Sequence, residues 1–110
     1  SSLKKHQVII TFEAEKDILD IYDYIAKKDT LQNAEYVLDN LESLILSLEE
    51  SPERGHYLPE LSIQGIKEFK EIIFKPYRAI YEIIGSKVIV HLCVDGRRDM
   101  KTLLERRLIR

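Results

Sequence analysis

Tryptophan is absent from this 110-residue chain; cysteine and methionine occur once each, proline three times and glycine four times. The single Cys93 permits no internal disulfide, which excludes disulfide-stapled scaffolds and fits a reducing cytoplasm. His6, His56 and Cys93 lie too far apart to make a local metal motif, and neither C-x-x-C nor H-E-x-x-H occurs. No metal and no cofactor is therefore expected. No apolar run approaches the ~20 residues of a membrane helix, and "SSLKKHQ" lacks the apolar stretch of a signal peptide. Ser43 and Ser47 have no nucleophile motif around them. With no repeats, linkers or low-complexity tracts, residues 1–110 read as one domain, long enough to build one core unaided.

What the chain does have is charge, unevenly placed. Residues 13–60 carry thirteen acidic and four basic side chains, a net of −9. Residues 61–110 carry six acidic and eleven basic ones, a net of +5. Such a division concerns partners rather than fold. One part of the surface suits basic peptides, the other phosphates or acidic protein surfaces. The pI near 5.9 argues against a general RNA binder, and no aromatic stacking set accompanies the basic end.

"QVIITF" (7–12) reads as a short strand. It runs into "EAEKDILDIYDYIAKK", where Ala14, Ile18, Ile21, Tyr22 and Ile25 fall on one face of an amphipathic helix. "DTLQ" (29–32) has the form of a capping box, Asp29 capping and Gln32 three residues on, at the start of a second helix. That helix carries Ala34, Val37, Leu38, Leu41, Leu44, Ile45 and Leu48 as one stripe, and "SPERG" (51–55) ends it. The short connection predicts a helical hairpin. After a loop at about 55–65 the period changes to two, and residues 66–74, 77–84 and 87–94 read as strands. Gly85-Ser86 makes a two-residue hairpin, and "DMKTLLERRL" a terminal helix capped by Asp99. The expected architecture is an α+β domain, β-α-α-β-β-β plus a short C-terminal helix, with the hairpin packed on one face of the sheet.

The element order, "DILDIYDYIAKKD", "LEESPERG", "YRAIYEI" and "DGRRDM" together resemble the ParE/RelE superfamily, and the ParE branch best, over roughly residues 7 to 100. These are toxins of type II toxin–antitoxin, or plasmid-stabilisation, modules. The resemblance implies a non-enzymatic toxin that binds DNA gyrase and is neutralised by a ParD-like or similar antitoxin. The rival it also implies is a RelE-like endonuclease that cleaves messenger RNA on the ribosome. A degenerate member that only sequesters an antitoxin is a third reading. Asp95 stands where the branch's "H-G-x-R-D"-like segment has His.

Strict alternation in "YRAIYEII" puts Tyr77, Ala79, Tyr81 and Ile83 toward the helices and Arg78 on the open face. RelE-like members place an arginine there against the scissile phosphate, a task that suits the guanidinium fork. The alternative is an ion pair with Glu82 or a cross-strand acid. His91 is expected opposite Val88, Val90, Leu92 and Val94, sharing the open face with Ile89 and Cys93; it is a candidate acid or base, or a half-buried hydrogen-bonded residue. If the chain were a ribonuclease, Arg78 and His91 would be its catalytic residues. Catalytic RelE-like toxins commonly end in a Tyr or His-Tyr pair, and this chain has no Tyr, Phe or His after His91. Arg78, Arg97, Arg98 and Asp99 are the candidate target contacts, Asp99 also as a helix cap. Tyr24 and Tyr36, off the apolar stripes, are candidate contacts for a docked partner, whereas Tyr22 reads as core. Arg106, Arg107 and Arg110 read as a solvated helix face.

Overall fold

The computed structural model describes residues 5–109; residues 1–4, part of the segment read above for a leader, and Arg110 lie outside it. Strand β1 (Gln7–Ile10) leads into helices α1 (Phe12–Lys28) and α2 (Leu31–Leu46). Two 3-10 turns, Ser47–Glu49 and Pro52–Arg54, follow. Then come β2 (His56–Tyr57), the one-turn helix α3 (Pro59–Ser62), β3 (Phe69–Phe74), β4 (Tyr77–Ile84), β5 (Lys87–Asp95) and α4 (Met100–Arg107). The sheet order is β1-β5-β4-β3-β2, with β1 parallel to β5 and every other pair antiparallel.

Both helices of the hairpin start at threonine. The Thr11 hydroxyl accepts from the Ala14 N–H at 3.0 Å, so the expected strand to residue 12 stops at Ile10 and Phe12 opens the helix. The second cap is Thr30, accepting from the Asn33 N–H at 2.9 Å, one residue later than the capping box at Asp29. Asp29 is already used: its own N–H donates to the Ile25 carbonyl and closes α1. A two-residue connection thus ends one helix and starts the next. Thr30→Ala should cost about 1 kcal/mol of stability, the usual worth of an N-cap, while Gln32→Ala should cost almost nothing; urea unfolding distinguishes them.

The hairpin buries Ala14, Ile18, Ile25, Val37, Leu41 and Ile45 against Ile72, Ala79, Tyr81, Val88, Val90 and Cys93. The opposite face of the sheet is not open. Its β4–β5 end carries a second core in which Ile80, Leu92 and Val94 pack with Leu58 and Leu61 near α3 and with Met100, Leu103 and Leu104 of α4. The cause lies in β5. Tyr81 faces Val90 and Ile80 faces Leu92, so His91 is an extra, bulged residue. The bulge reverses the alternation: Val88 and Val90 enter the hairpin-side core, Leu92 and Val94 the other. Cys93 consequently joins the hairpin side, away from the face expected for it with His91.

Candidate functional site

Arg78 is on the face expected and in the second of the two settings weighed for it, an ion pair with a cross-strand acid. It is 9 % exposed, and Glu71, which shares that face, is 4 % exposed. The Arg78 Nε–H donates to Glu71 Oε1, and its two terminal nitrogens donate to Glu60 of α3 at 2.8 and 2.9 Å. Glu71 lies directly opposite Ile80, diagonal to Arg78 across the β3–β4 ladder. The partners are therefore a cross-strand acid and an acid of α3 rather than Glu82. The guanidinium holds the Glu60 carboxyl below the usual range, and the two acids raise the arginine's own pKa further.

His91 is held elsewhere. Its Nε2 is 2.9 Å from Glu82 Oε1, and its ring stands edge-on to Phe69. Glu82 is four residues along β4 from Arg78, roughly 13 Å at strand rise. The two residues named for a ribonuclease reading thus have separate partners.

β1 ends opposite Val90, leaving the edge of β5 away from β4 without a neighbouring strand beyond the bulge. Side chains take its place. The Cys93 N–H donates to Asp17 of α1 at 3.1 Å, and Arg107 of α4 donates to the His91 carbonyl at 3.2 Å. Arg107 also pairs with Asp17 at 3.0 Å, so α1, β5 and α4 are tied at one point. Its expected place on a solvated face is therefore corrected: burial against the strand edge and Asp17 hold it. Burial pushes the Cys93 thiol up to about 12, which keeps it protonated.

The turn after β5 carries the arginines. Gly96 N–H donates to the Pro76 carbonyl at 2.8 Å, and a Cβ at Gly96 would stand 2.6 Å from Arg78 Cδ. The turn therefore sits directly on the stem of Arg78. Asp95 grips Arg97 with both oxygens, the shortest contact being 2.6 Å, and that pairing lowers the Asp95 pKa. Asp99 caps α4, accepting from the Thr102 N–H and hydroxyl, which lower its pKa. Arg98 is exposed and has no ion pair among the described residues. Tyr24 and Tyr36 are 63 % and 58 % exposed. They line a cavity of about 390 Å3 with Phe74, Pro76 and Tyr77, and Tyr36 packs on Phe74 with ring centroids 5.9 Å apart. Tyr24 and Tyr77 also line an adjoining cavity of about 260 Å3 with Ile21, Arg97 and Arg98. The structure thus brings Tyr24, Arg97 and Arg98 together and leaves Arg78 outside that group, against Gly96 of the same turn. Glu60, Glu71 and Asp17 were not singled out from sequence, and Arg107 only as part of a solvated face. Among the described residues no group of His, Cys, Asp or Glu is arranged to hold a metal, and no helix is long and apolar enough to cross a membrane.

The family model "ParE toxin of type II toxin-antitoxin system, parDE" matches residues 8–100. The chain belongs to the ParE toxin family. It is thus a toxin of a type II toxin–antitoxin system. Solved ParE- and RelE-type structures share its fold. The chromosomal ParDE system of P. aeruginosa superposes with a TM-score of 0.69 at 14 % identity, covering 83 % of this chain and 96 % of that one. The RelBE2 toxin–antitoxin complex of Mycobacterium tuberculosis gives 0.62 at 15 %, covering 86 % and 94 %. A mutant of E. coli RelE in the free state gives 0.62 at 17 %, covering 94 % and 99 %. At these identities the likeness is one of fold. No significant match is found among curated protein sequences. The ParE match ends at Met100, so Arg107 and most of α4 lie beyond it.

Proposed function

We propose that this ParE-family toxin acts in the cytoplasm as a single-domain poison that binds DNA gyrase and stalls it without catalysing a reaction. A small ParD-like antitoxin neutralises it. The observation that carries this reading is the state of Arg78. RNA cleavage needs a cation on the phosphate with an acid and a base beside it, and this guanidinium is engaged by Glu60 and Glu71. Arg98, by contrast, is exposed and uncommitted, and Arg97 stands beside it on the same turn. We assign Arg97 and Arg98 to the target, Asp99 to capping the helix behind them, and Arg78 to supporting their turn.

The test is a side-by-side assay of the purified, antitoxin-free protein on gyrase supercoiling and on ribosome-bound messenger RNA. Inhibition of gyrase at stoichiometric protein is expected. Arg98→Ala should weaken it by about 2 kcal/mol, roughly thirtyfold, at the low end for charged contacts because the residue is exposed, and His91→Gln should leave it unchanged. Cleavage of message at catalytic concentrations with gyrase unaffected would overturn the reading.

The antitoxin fits the helical hairpin. Leu19 and Leu46 are exposed there, Tyr24 and Tyr36 flank the end near Phe74, and the segment 13–60 carries the net of −9. Basic side chains of the antitoxin should meet those acids, so association should slow by about tenfold or more as salt rises from low to physiological strength. A stopped-flow rate indifferent to salt would exclude this electrostatic account.

A further inference from the structure

The sheet has two outer strands. One, β2, is only two residues long and gives a neighbour little to pair with. The other is β1. Its Gln7 and Thr11 N–H groups donate to the Ser86 and Val90 carbonyls at 2.9 and 3.1 Å, so alternation turns the N–H and C=O of Val8 and Ile10 outward, away from β5. The His6 N–H, of the same parity, points outward too and is taken by the Glu49 carbonyl at 2.8 Å. Past that tie, the backbone groups of Val8 and Ile10 have no hydrogen bond with a side chain or loop among the described residues. The edge is accessible: Val8 is half-buried, Ile10 is 38 % exposed, and Phe12 just beyond is 81 % exposed. Gln7–Ile10 carries no charged residue, proline or bulge, the devices that usually keep a strand edge single.

This edge is complementary to itself. Turned about a two-fold axis through Ile9, Val8 of one copy stands opposite Ile10 of the other, and each such pair exchanges both of its N–H···O=C bonds. Every outward group of the two residues is then satisfied on both copies. The same axis carries Lys5, before the strand, toward Glu13 in the first turn of α1 of the other copy. Their side chains are 67 % and 63 % exposed, and each has only a long contact of its own, to Glu50 at 3.9 Å and to Arg107 at 3.7 Å. Charges of opposite sign therefore meet across the axis, although each copy carries a net of −2. We propose that β1 is a homodimerisation edge: two copies of the toxin pair β1 with β1, antiparallel, and join their sheets into one. Phe12 lies at the rim of this contact. Main-chain bonds supply most of the seat, as in strand addition generally. A four-residue strand buries little side-chain area, so the dimer belongs to the weak, concentration-dependent class. The inference holds whether the target is gyrase or message.

The test is sedimentation of the purified, antitoxin-free toxin from about 5 to about 500 μM, the range in which small interfaces assemble. A monomer–dimer equilibrium is expected. As the dimer forms, the Val8 and Ile10 amides should gain hydrogen-exchange protection, while those of Gln7 and Ile9, already directed to β5, change little. Lys5→Glu should weaken the dimer at least about tenfold by setting like charges against each other. Adding Glu13→Lys should restore it. Both side chains are exposed, so neither change puts the fold at stake. A monomer throughout the range, a dimer that leaves the Val8 and Ile10 amides unprotected, or a charge exchange that restores nothing would each overturn the proposal. So would protection of those amides confined to the antitoxin complex, because the strand on β1 would then be the antitoxin's.

Discussion

Arg78→Ala is expected to destabilise the protein by about 3–5 kcal/mol, the cost of leaving buried carboxylates without their cation. Against a total of roughly 5–15 kcal/mol for a domain, that brings the fold close to its limit. Thermal unfolding should fall by roughly 12 °C or more. The mechanism makes two further demands. Adding Glu71→Gln to Arg78→Ala should recover part of the loss, because the charge stranded between β3 and β4 is gone. The difference between wild type and Arg78→Ala should also depend on pH. Glu60 has its folded pKa held below the ordinary 4.5 by the guanidinium. A depressed carboxylate contributes stability that is present above its unfolded pKa and lost as pH falls through its folded pKa. The wild type therefore loses this contribution below about pH 4.5 and the variant has none of it to lose. The gap should narrow in acid. Urea unfolding of both proteins down the pH scale measures it, and a gap constant with pH would show that the ion pairs are not what Arg78 supplies.

Gly55→Ala is expected to cost about 3 kcal/mol, although nothing about the backbone there requires glycine. Its φ of −78° and ψ of 178° suit any residue. Space is the constraint: an added Cβ would lie 2.4 Å from the Tyr81 hydroxyl and 2.6 Å from the Glu71 carbonyl oxygen. That hydroxyl accepts from the Gly55 N–H at 3.0 Å and donates to the Pro52 carbonyl at 2.7 Å. A methyl group thus brings overpacking, typically about 1–3 kcal/mol, and disturbs two hydrogen bonds of about 1 kcal/mol each. Tyr81→Phe removes the bonds without the clash and should cost about 1–2 kcal/mol. In the double variant the closest collision is gone, so the two changes should total less than their sum. Strict additivity in a double-mutant cycle would refute the steric account.

These two sites also mark what could be read from the sequence. The hairpin was legible because Ile18, Ile25, Val37, Leu41 and Ile45 keep helical period, and β4 because "YRAIYEII" alternates without interruption between Pro76 and Gly85. The two-residue β2 and the single turn of α3 are too short to have a period. The bulge at His91 was hidden for another reason. In "VIVHLCV" apolar residues occupy both parities after the histidine, so an inserted residue leaves the pattern unchanged. The run Leu92-Cys93-Val94 was the available signal, since consecutive apolar residues mark a strand covered on both faces. At the candidate site, the Arg97–Arg98 turn was visible as a charge cluster and Tyr24 as an aromatic off its stripe. Glu71 could be reached as a cross-strand acid. Glu60 lies on the one-turn helix α3, whose position no local pattern specifies. Asp17 and Arg107 are 90 residues apart, and only the completed fold joins them.

The pairing of Gln7 with Lys87 and of Ile10 with Val90 joins the first strand to the last. A chain emerging from the ribosome makes β1 well before its neighbour β5 and holds it unpaired until residues 87–90 have been synthesised. Long-range closure of this kind is slow, and unpaired strand edges are exposed while it waits. The arginine turn at 96–98 and the helix that anchors Arg107 come later still. The nascent chain therefore keeps β1 unpaired until β5 exists, and the turn and helix that follow β5 can settle only on that completed pairing.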